Sequence, residues 1–150
     1  MRPIELKIKG INSYREEQVI NFNQLTSQGF FGIFGPTGSG KSTILDAITL
    51  ALYAKLPRGS KNFININETS ASVSFRFSIT TTETKEYLVE RSFRYPGKDR
   101  SSTARNTTAR LSLLSDVDTE ILADKPTDVT RSCTDLLGLS SDDFLRTVVL

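Results

Sequence analysis

Nine consecutive residues, Gly35-Pro36-Thr37-Gly38-Ser39-Gly40-Lys41-Ser42-Thr43, set three glycines, a lysine and hydroxyl side chains at the spacing G-x-x-x-x-G-K-[ST]. A nucleotide polyphosphate needs several N–H donors converging on it. Glycines let a backbone turn tightly enough, and come close enough, to supply them. The first turn of a following helix adds its own unpaired N–H groups and the positive end of its dipole. In this reading Lys41 reaches the β- and γ-phosphates of ATP, and the Ser42 hydroxyl ligates Mg²⁺. Gly35, Pro36, Thr37, Gly38, Ser39, Gly40, Lys41, Ser42 and Thr43 are therefore the nucleotide-binding set.

The motif supplies binding rather than hydrolysis. A P-loop ATPase also needs an acid at the end of a second apolar strand, to hold the metal and position water. The one candidate, Ile121-Leu122-Ala123-Asp124, has three apolar residues in a polar neighbourhood and is followed by Lys125. Asp46 reads as a structural carboxylate of the helix after the loop. With no histidine in the chain, Ser-His and Cys-His catalysis are excluded. The single cysteine, Cys133, reads as a small core residue. No catalytic residue is assigned, and the chain holds half an active site.

The elements that must position the motif follow from periodicity. Ile4, Leu6 and Ile8 alternate with Glu5, Lys7 and Lys9 as in a half-buried strand, and Val19 to Phe22 offers a partner in an N-terminal hairpin. Phe30-Phe31-Gly32-Ile33-Phe34 is a short apolar run expected to form a central strand covered on both faces. After the glycine-rich turn the period lengthens: Ile44, Ala47, Ile48, Ala51 and Leu52 share one face of a helix from Lys41 to about Tyr53, with Pro57 and Gly59 expected to end it. Residues 56 to 70 read as loop. Val73, Phe75, Phe77 and Ile79 mark a strand that pairs back with Tyr87 to Phe93. Tyr95 to Thr108 reads as a long hairpin loop, Leu111 to Leu114 and Glu120 to Leu122 as further strands. Pro126 to Gly138 has the marks of a helix, and Ser140 with Asp143 those of a capping pair on a last short one.

The fold class expected is α/β, with a mixed sheet: a P-loop strand and helix, an antiparallel subdomain of five or six strands, and flanking helices. At 150 residues, with 37% hydrophobic residues, the chain suits one domain. No apolar run approaches the roughly 20 residues of a spanning helix, and charges interrupt any signal-peptide core, so a cytoplasmic location without membrane contact is expected. The 19 Lys and Arg nearly balance the 17 Asp and Glu, but unevenly along the chain. Arg91, Arg94, Lys98, Arg100, Arg105 and Arg110 stand against Asp99 alone, the footprint either of a phosphate-rich partner or of a solvated loop.

Taken together, these segments resemble a known family. Met1 to Tyr14, Val19-Ile20-Asn21-Phe22, the run Gly35 to Ile48, Ala51-Leu52-Tyr53, Pro57-Arg58-Gly59, Ile121 to Lys125, Leu137-Gly138-Leu139 and Phe144 to Leu150 are similar to the N-terminal ATPase lobe of the SbcC family. These are ABC-type P-loop ATPases of DNA double-strand-break repair, related to chromosome-maintenance and RecF/RecN proteins. The resemblance implies that residues 1–150 are the N-terminal half of a head, stopping just before the glutamine of the Q-loop. A coiled coil with a zinc hook and a C-terminal lobe bearing the signature motif, acidic motif and catalytic glutamate would lie outside it. Two heads would sandwich two ATP molecules. The implied partners are an SbcD-type nuclease, the protein's own C-terminal lobe, a second head as homodimer, and DNA ends and hairpins.

By the same resemblance Asn12 and Ser13 lie beside the nucleotide phosphates, with Asn where relatives often carry Arg. The basic residues 91–110 would lie on the antiparallel sheet near DNA, and Ile121 to Asp124 would be an ordinary strand. Missing parallel strands would leave an exposed sheet edge and favour self-association. The alternatives are a chromosome-maintenance or RecF/RecN-type head, a transporter-type ATPase, and a stand-alone P-loop kinase with a basic lid and an acceptor site.

Overall fold

The computed structural model of the chain describes residues 1–25, 32–56, 62–97, 100 and 102–148. Alternation sets the first strand, β1 (Arg2–Lys9), with Ile4, Leu6 and Ile8 buried on one face and charged residues on the other. β2 (Gln18–Asn21) pairs antiparallel along one edge of β1, Ile20 opposite Leu6. The short helix α1 (Phe22–Leu25) follows and buries Phe22. The other edge of β1 takes β3 (Ser70–Thr80), Phe75 opposite Leu6.

From β3 the chain meanders through β4 (Thr84–Arg94), β5 (Arg105–Leu114) and β6 (Thr119–Ala123). The sheet order is β2-β1-β3-β4-β5-β6, and each of these pairings is antiparallel. Val73, Phe75 and Phe77 on β3 and Tyr87, Val89 and Phe93 on β4 point to one face, each worth roughly 1.5–3 kcal/mol when fully buried. Helices α2 (Lys41–Tyr53) and α3 (Pro126–Leu137) cover that face, α2 over β3 and β4 and α3 over β5 and β6. α4 (Ser141–Val148) closes against the C-terminal end of α2. There the Tyr53 hydroxyl donates to the Leu139 carbonyl at 3.0 Å, and the Tyr53 and Phe144 rings lie 5.5 Å apart. Ser140 caps α4 as expected, its hydroxyl accepting from the Asp143 N–H at 3.2 Å and donating to the Asp143 carboxylate at 2.6 Å.

One local expectation is corrected. Phe30 and Phe31 lie outside the described residues, but Gly32-Ile33-Phe34 forms no strand, and Phe34 is 93% exposed. Among the described residues no strand pairs with 32–34; Gly32, Ile33 and Phe34 instead line an open apolar groove with Val19 and Ile20 of β2. The P-loop helix runs from Lys41 to Tyr53 as its periodicity indicates; Pro57 and Gly59 lie outside the described residues. Ala54 ends it, turning left-handed (φ 53) so that its N–H donates to the Leu50 carbonyl at 2.9 Å. An L side chain in that conformation costs about 1 kcal/mol. Ala54→Gly is therefore expected to raise stability by about 1 kcal/mol, read as a higher urea midpoint at unchanged slope.

Cys133 is fully buried in α3 against the core, and burial pushes its thiol up to about 11, as suits an inert core residue. Strand β6 is an exposed edge with Ile121 and Leu122 open to solvent, an ordinary strand rather than the buried one a metal-holding acid needs. Among the described residues no helix is long and apolar enough to cross a membrane.

Candidate nucleotide-binding site

Helix α2 owes its place to the apolar residues Ile44, Ala47, Leu50, Ala51 and Leu52, which anchor it on the sheet and present its N-terminus at the surface. The loop 35–40 runs directly into that N-terminus. Gly38 (φ 85) and Gly40 (φ 87) are both left-handed, the conformation the spacing requires of glycine. A Cβ on Gly40 would also lie 2.9 Å from the Tyr14 ring, so a side chain here would have to displace that ring as well as hold a left-handed backbone.

No side chain caps α2, and its first turn carries no acid. The helix end therefore keeps its positive character for an anion instead of neutralising it internally. Lys41 extends its ammonium over the loop, donating to the carbonyls of Gly35 and Pro36 at 2.6 Å each and to the Ser39 hydroxyl at 3.4 Å. The lysine charge is thus held where a phosphate on the loop would meet it. This donor set fits a nucleotide polyphosphate: turned glycines, a cation and an uncapped helix end. Among the described residues no cluster of three or more His, Cys, Asp or Glu could hold a metal. A magnesium ion here would rest on the Ser42 hydroxyl together with the phosphates it accompanies.

The fold brings Asn12 to the same place from 31 residues away. Ile11 and Tyr14 close a two-residue turn, Ile11 N–H to the Tyr14 carbonyl at 3.0 Å and the reverse bond at 2.8 Å, with Asn12 left-handed (φ 47) at its tip. Asn12 Nδ2 donates to Thr43 Oγ1 at 3.4 Å, in the first turn of α2. Ser13 is exposed beside it. Tyr14, which no spacing in the sequence marks, lays its ring against Gly40, with its hydroxyl 3.5 Å from the Gly40 carbonyl.

The basic segment does not behave as one surface. Arg91 is a correction: it is only 2% exposed, on the face of β4 that carries Val89 and Phe93. Its Nε donates to the Ala51 carbonyl at 2.6 Å and its Nη2 to the Leu52 carbonyl at 3.2 Å and Thr130 Oγ1 at 2.9 Å. Nη1 donates to Asn106 Oδ1 at 2.7 Å and the Pro126 carbonyl at 3.3 Å. A guanidinium so enclosed cannot touch DNA; it caps the negative end of α2 and ties it to α3 and β5. Burial brings its pKa down to about 10, which still leaves it charged at neutral pH.

Arg100 is committed to the protein, donating to the carbonyls of Asn65 at 2.6 Å and of Glu68, with its guanidinium 5.4 Å from the Tyr95 ring centroid. Lys98 lies outside the described residues. Arg94, Arg105 and Arg110 remain exposed. Arg94 and Arg105 are directly opposite on β4 and β5, whereas Arg110 faces Glu90.

The loop-and-helix geometry defines a class. The AAA domain family matches residues 5–143, and the chain belongs to it. Within that class the chain is 50% identical over its whole length to the SbcC component of the nuclease SbcCD of Clostridium acetobutylicum, and 48% identical over its whole length to the same component in Bacillus subtilis. It is 41% identical over 63% of its length to the "Probable DNA double-strand break repair Rad50 ATPase" of Aquifex aeolicus, covering 10% of that protein. The chain spans 13% of the length of each of the two SbcC proteins.

Proposed function

We propose that residues 1–150 are the ATP-binding N-terminal half of a head of an SbcC-like repair ATPase, which gates a partner nuclease on DNA ends and hairpins. The observation that carries this reading is the uncapped N-terminus of α2 entered through Gly38 and Gly40, with Lys41 held over the loop. Similarity along the whole chain to proteins named for a nuclease complex supports the wider role.

Binding and hydrolysis are then divided. Gly35 to Thr43 with Asn12 and Ser13 hold the phosphates, and Ser42 holds the Mg²⁺ that accompanies them. No acid in this set can position water, so a C-terminal lobe and a second head would complete the chemistry, and these residues by themselves would bind ATP without turning it over. The apolar patch of Val19, Leu25, Ile33 and Phe34 beside the loop suits coverage by such a lobe. An SbcD-type nuclease and DNA complete the partners, and a cytoplasmic location fits them.

Of the basic residues, Arg94 and Arg105 form the part best suited to DNA. Like charges directly opposite on neighbouring strands repel, and a phosphate between them removes that cost. Lys9, Ser70, Ser72, Ser92 and Thr108 line the adjoining groove with Glu68, whose carboxylate is paired with Arg15. In the full-length protein, Arg94→Glu with Arg105→Glu is expected to weaken binding to duplex DNA about tenfold or more at low salt and to flatten its salt dependence, leaving Mg-ATP affinity unchanged. Unaltered DNA affinity and salt slope would remove this segment from the interface.

A further inference from the structure

The turn that carries Asn12 is held from outside itself. Asparagine tolerates the left-handed conformation it adopts here, and the contacts that fix the turn in place come from elsewhere in the chain. The loop 62–68 supplies them. Asn12 N–H donates to the Phe63 carbonyl at 2.7 Å, Asn65 N–H to the Gly10 carbonyl at 2.9 Å, and Asn65 Nδ2 to the Asn12 carbonyl at 2.6 Å. Ile11 and Ile64 add an isolated bridge between the two segments. That loop is in turn gripped by Arg100, whose guanidinium reaches the carbonyls of Asn65 and Glu68 while lying over Tyr95. The Glu68 side chain accepts from Arg15 at 2.9 Å on the far side of the same turn.

We propose that Asn65 and Arg100 are positioning residues of the nucleotide site, forming a brace that holds Asn12 against Thr43 in the first turn of α2. This rests on the nucleotide-binding reading of the loop 35–43. The chain of contacts runs Arg100, Asn65, Asn12, Thr43 and ends one residue from Ser42. Neither bracing side chain is buried in the core, so removing one loosens the turn without opening the fold. One nitrogen, Nη2, meets both carbonyls while the planar guanidinium lies over Tyr95; a lysine ammonium can reach the carbonyls but cannot stack on that ring in the same way. The brace also joins Arg100, in the connection between β4 and β5, to the phosphate end of α2.

The test is Mg-ATP titration of the full-length protein carrying Arg100→Ala, Asn65→Ala, both together, or Arg100→Lys, with thermal melting of each. Arg131→Ala is the charge control, because Arg131 is exposed on α3 and pairs with Asp128 three residues away. Arg100→Ala and Asn65→Ala are each expected to raise the dissociation constant about three- to tenfold, with melting temperatures close to the parent's. The double variant should be scarcely weaker than either single one, since both act through one chain of contacts. Arg100→Lys should recover part of the affinity, and Arg131→Ala should bind as the parent does.

Parent-like affinity in both single variants overturns the brace, as does an affinity loss that only tracks a fall in melting temperature. If Arg100→Ala does not fold, Arg100→Lys and Asn65→Ala decide the matter by the same criteria. Failure of the parent itself to bind Mg-ATP would instead overturn the nucleotide reading, a result recognisable before any variant is compared.

Discussion

Lys41→Ala is expected to weaken Mg-ATP binding by about a hundredfold or more, which corresponds to roughly 3 kcal/mol. Hydrogen bonds to a charged group are worth about 1.5–3 kcal/mol each, and the lysine ammonium is a compact point charge facing a polyanion. Its present partners are the carbonyls of Gly35 and Pro36 and the Ser39 hydroxyl, so it also holds the loop in shape before any phosphate arrives. Its removal leaves those acceptors to water, which at an exposed loop changes folding stability by no more than about 0.5 kcal/mol. Titration with Mg-ATP alongside a urea melt separates the two effects. A variant with parental stability and parental affinity would remove the loop 35–43 as the nucleotide site.

Arg91→Leu is expected to have the larger effect on the fold, a loss of about 3–5 kcal/mol. Five acceptors converge on this guanidinium, from α2, α3 and β5, and a leucine satisfies none of them. The carbonyls of Ala51 and Leu52 belong to the last turn of α2, where unpaired acceptors already gather, and leaving them buried and unmet costs about 1–3 kcal/mol apiece. Against this, the variant no longer buries a charge, and that relief keeps the net figure below the sum of the lost bonds. Arg91→Lys should recover part of the loss, because one ammonium reaches some of the acceptors but not the whole set. Chemical denaturation followed by circular dichroism checks both. A loss under about 1 kcal/mol for the leucine variant would mean that the side chain is not the strut between α2, α3 and β5.

Arg91 and Arg94 also mark the limit of reading charge from a linear chain. They sit in the same basic run, yet strand alternation puts Arg91 in phase with Val89 and Phe93 and Arg94 out of phase with them. That parity is visible in the sequence and argues against solvent exposure. Its partners are not visible: the acceptors lie 15 to 40 residues away and converge only when α2 and α3 pack on the sheet. Asn65 presents the same difficulty. It is one of three asparagines in a polar loop, with Asn62 and Asn67, and only tertiary contact distinguishes it from its neighbours. At 32–34 the mismatch runs the other way, since an apolar run reads as a strand although a strand exists only where another offers it hydrogen bonds.

Local sequence was enough to place the loop 35–43, the helix after it, the alternating strands and the two C-terminal helices. Each of these rests on short-range rules: backbone freedom at glycine, a side-chain period of 2 or 3.6, and caps within one turn. The packed chain was needed to show that Asn12 meets Thr43, that Tyr14 lies on Gly40, that Arg91 is a buried cap and that Arg100 grips a loop. These depend on which distant groups a fold brings within about 3 Å of one another, and hydrogen bonds of that reach leave no periodic trace along the chain.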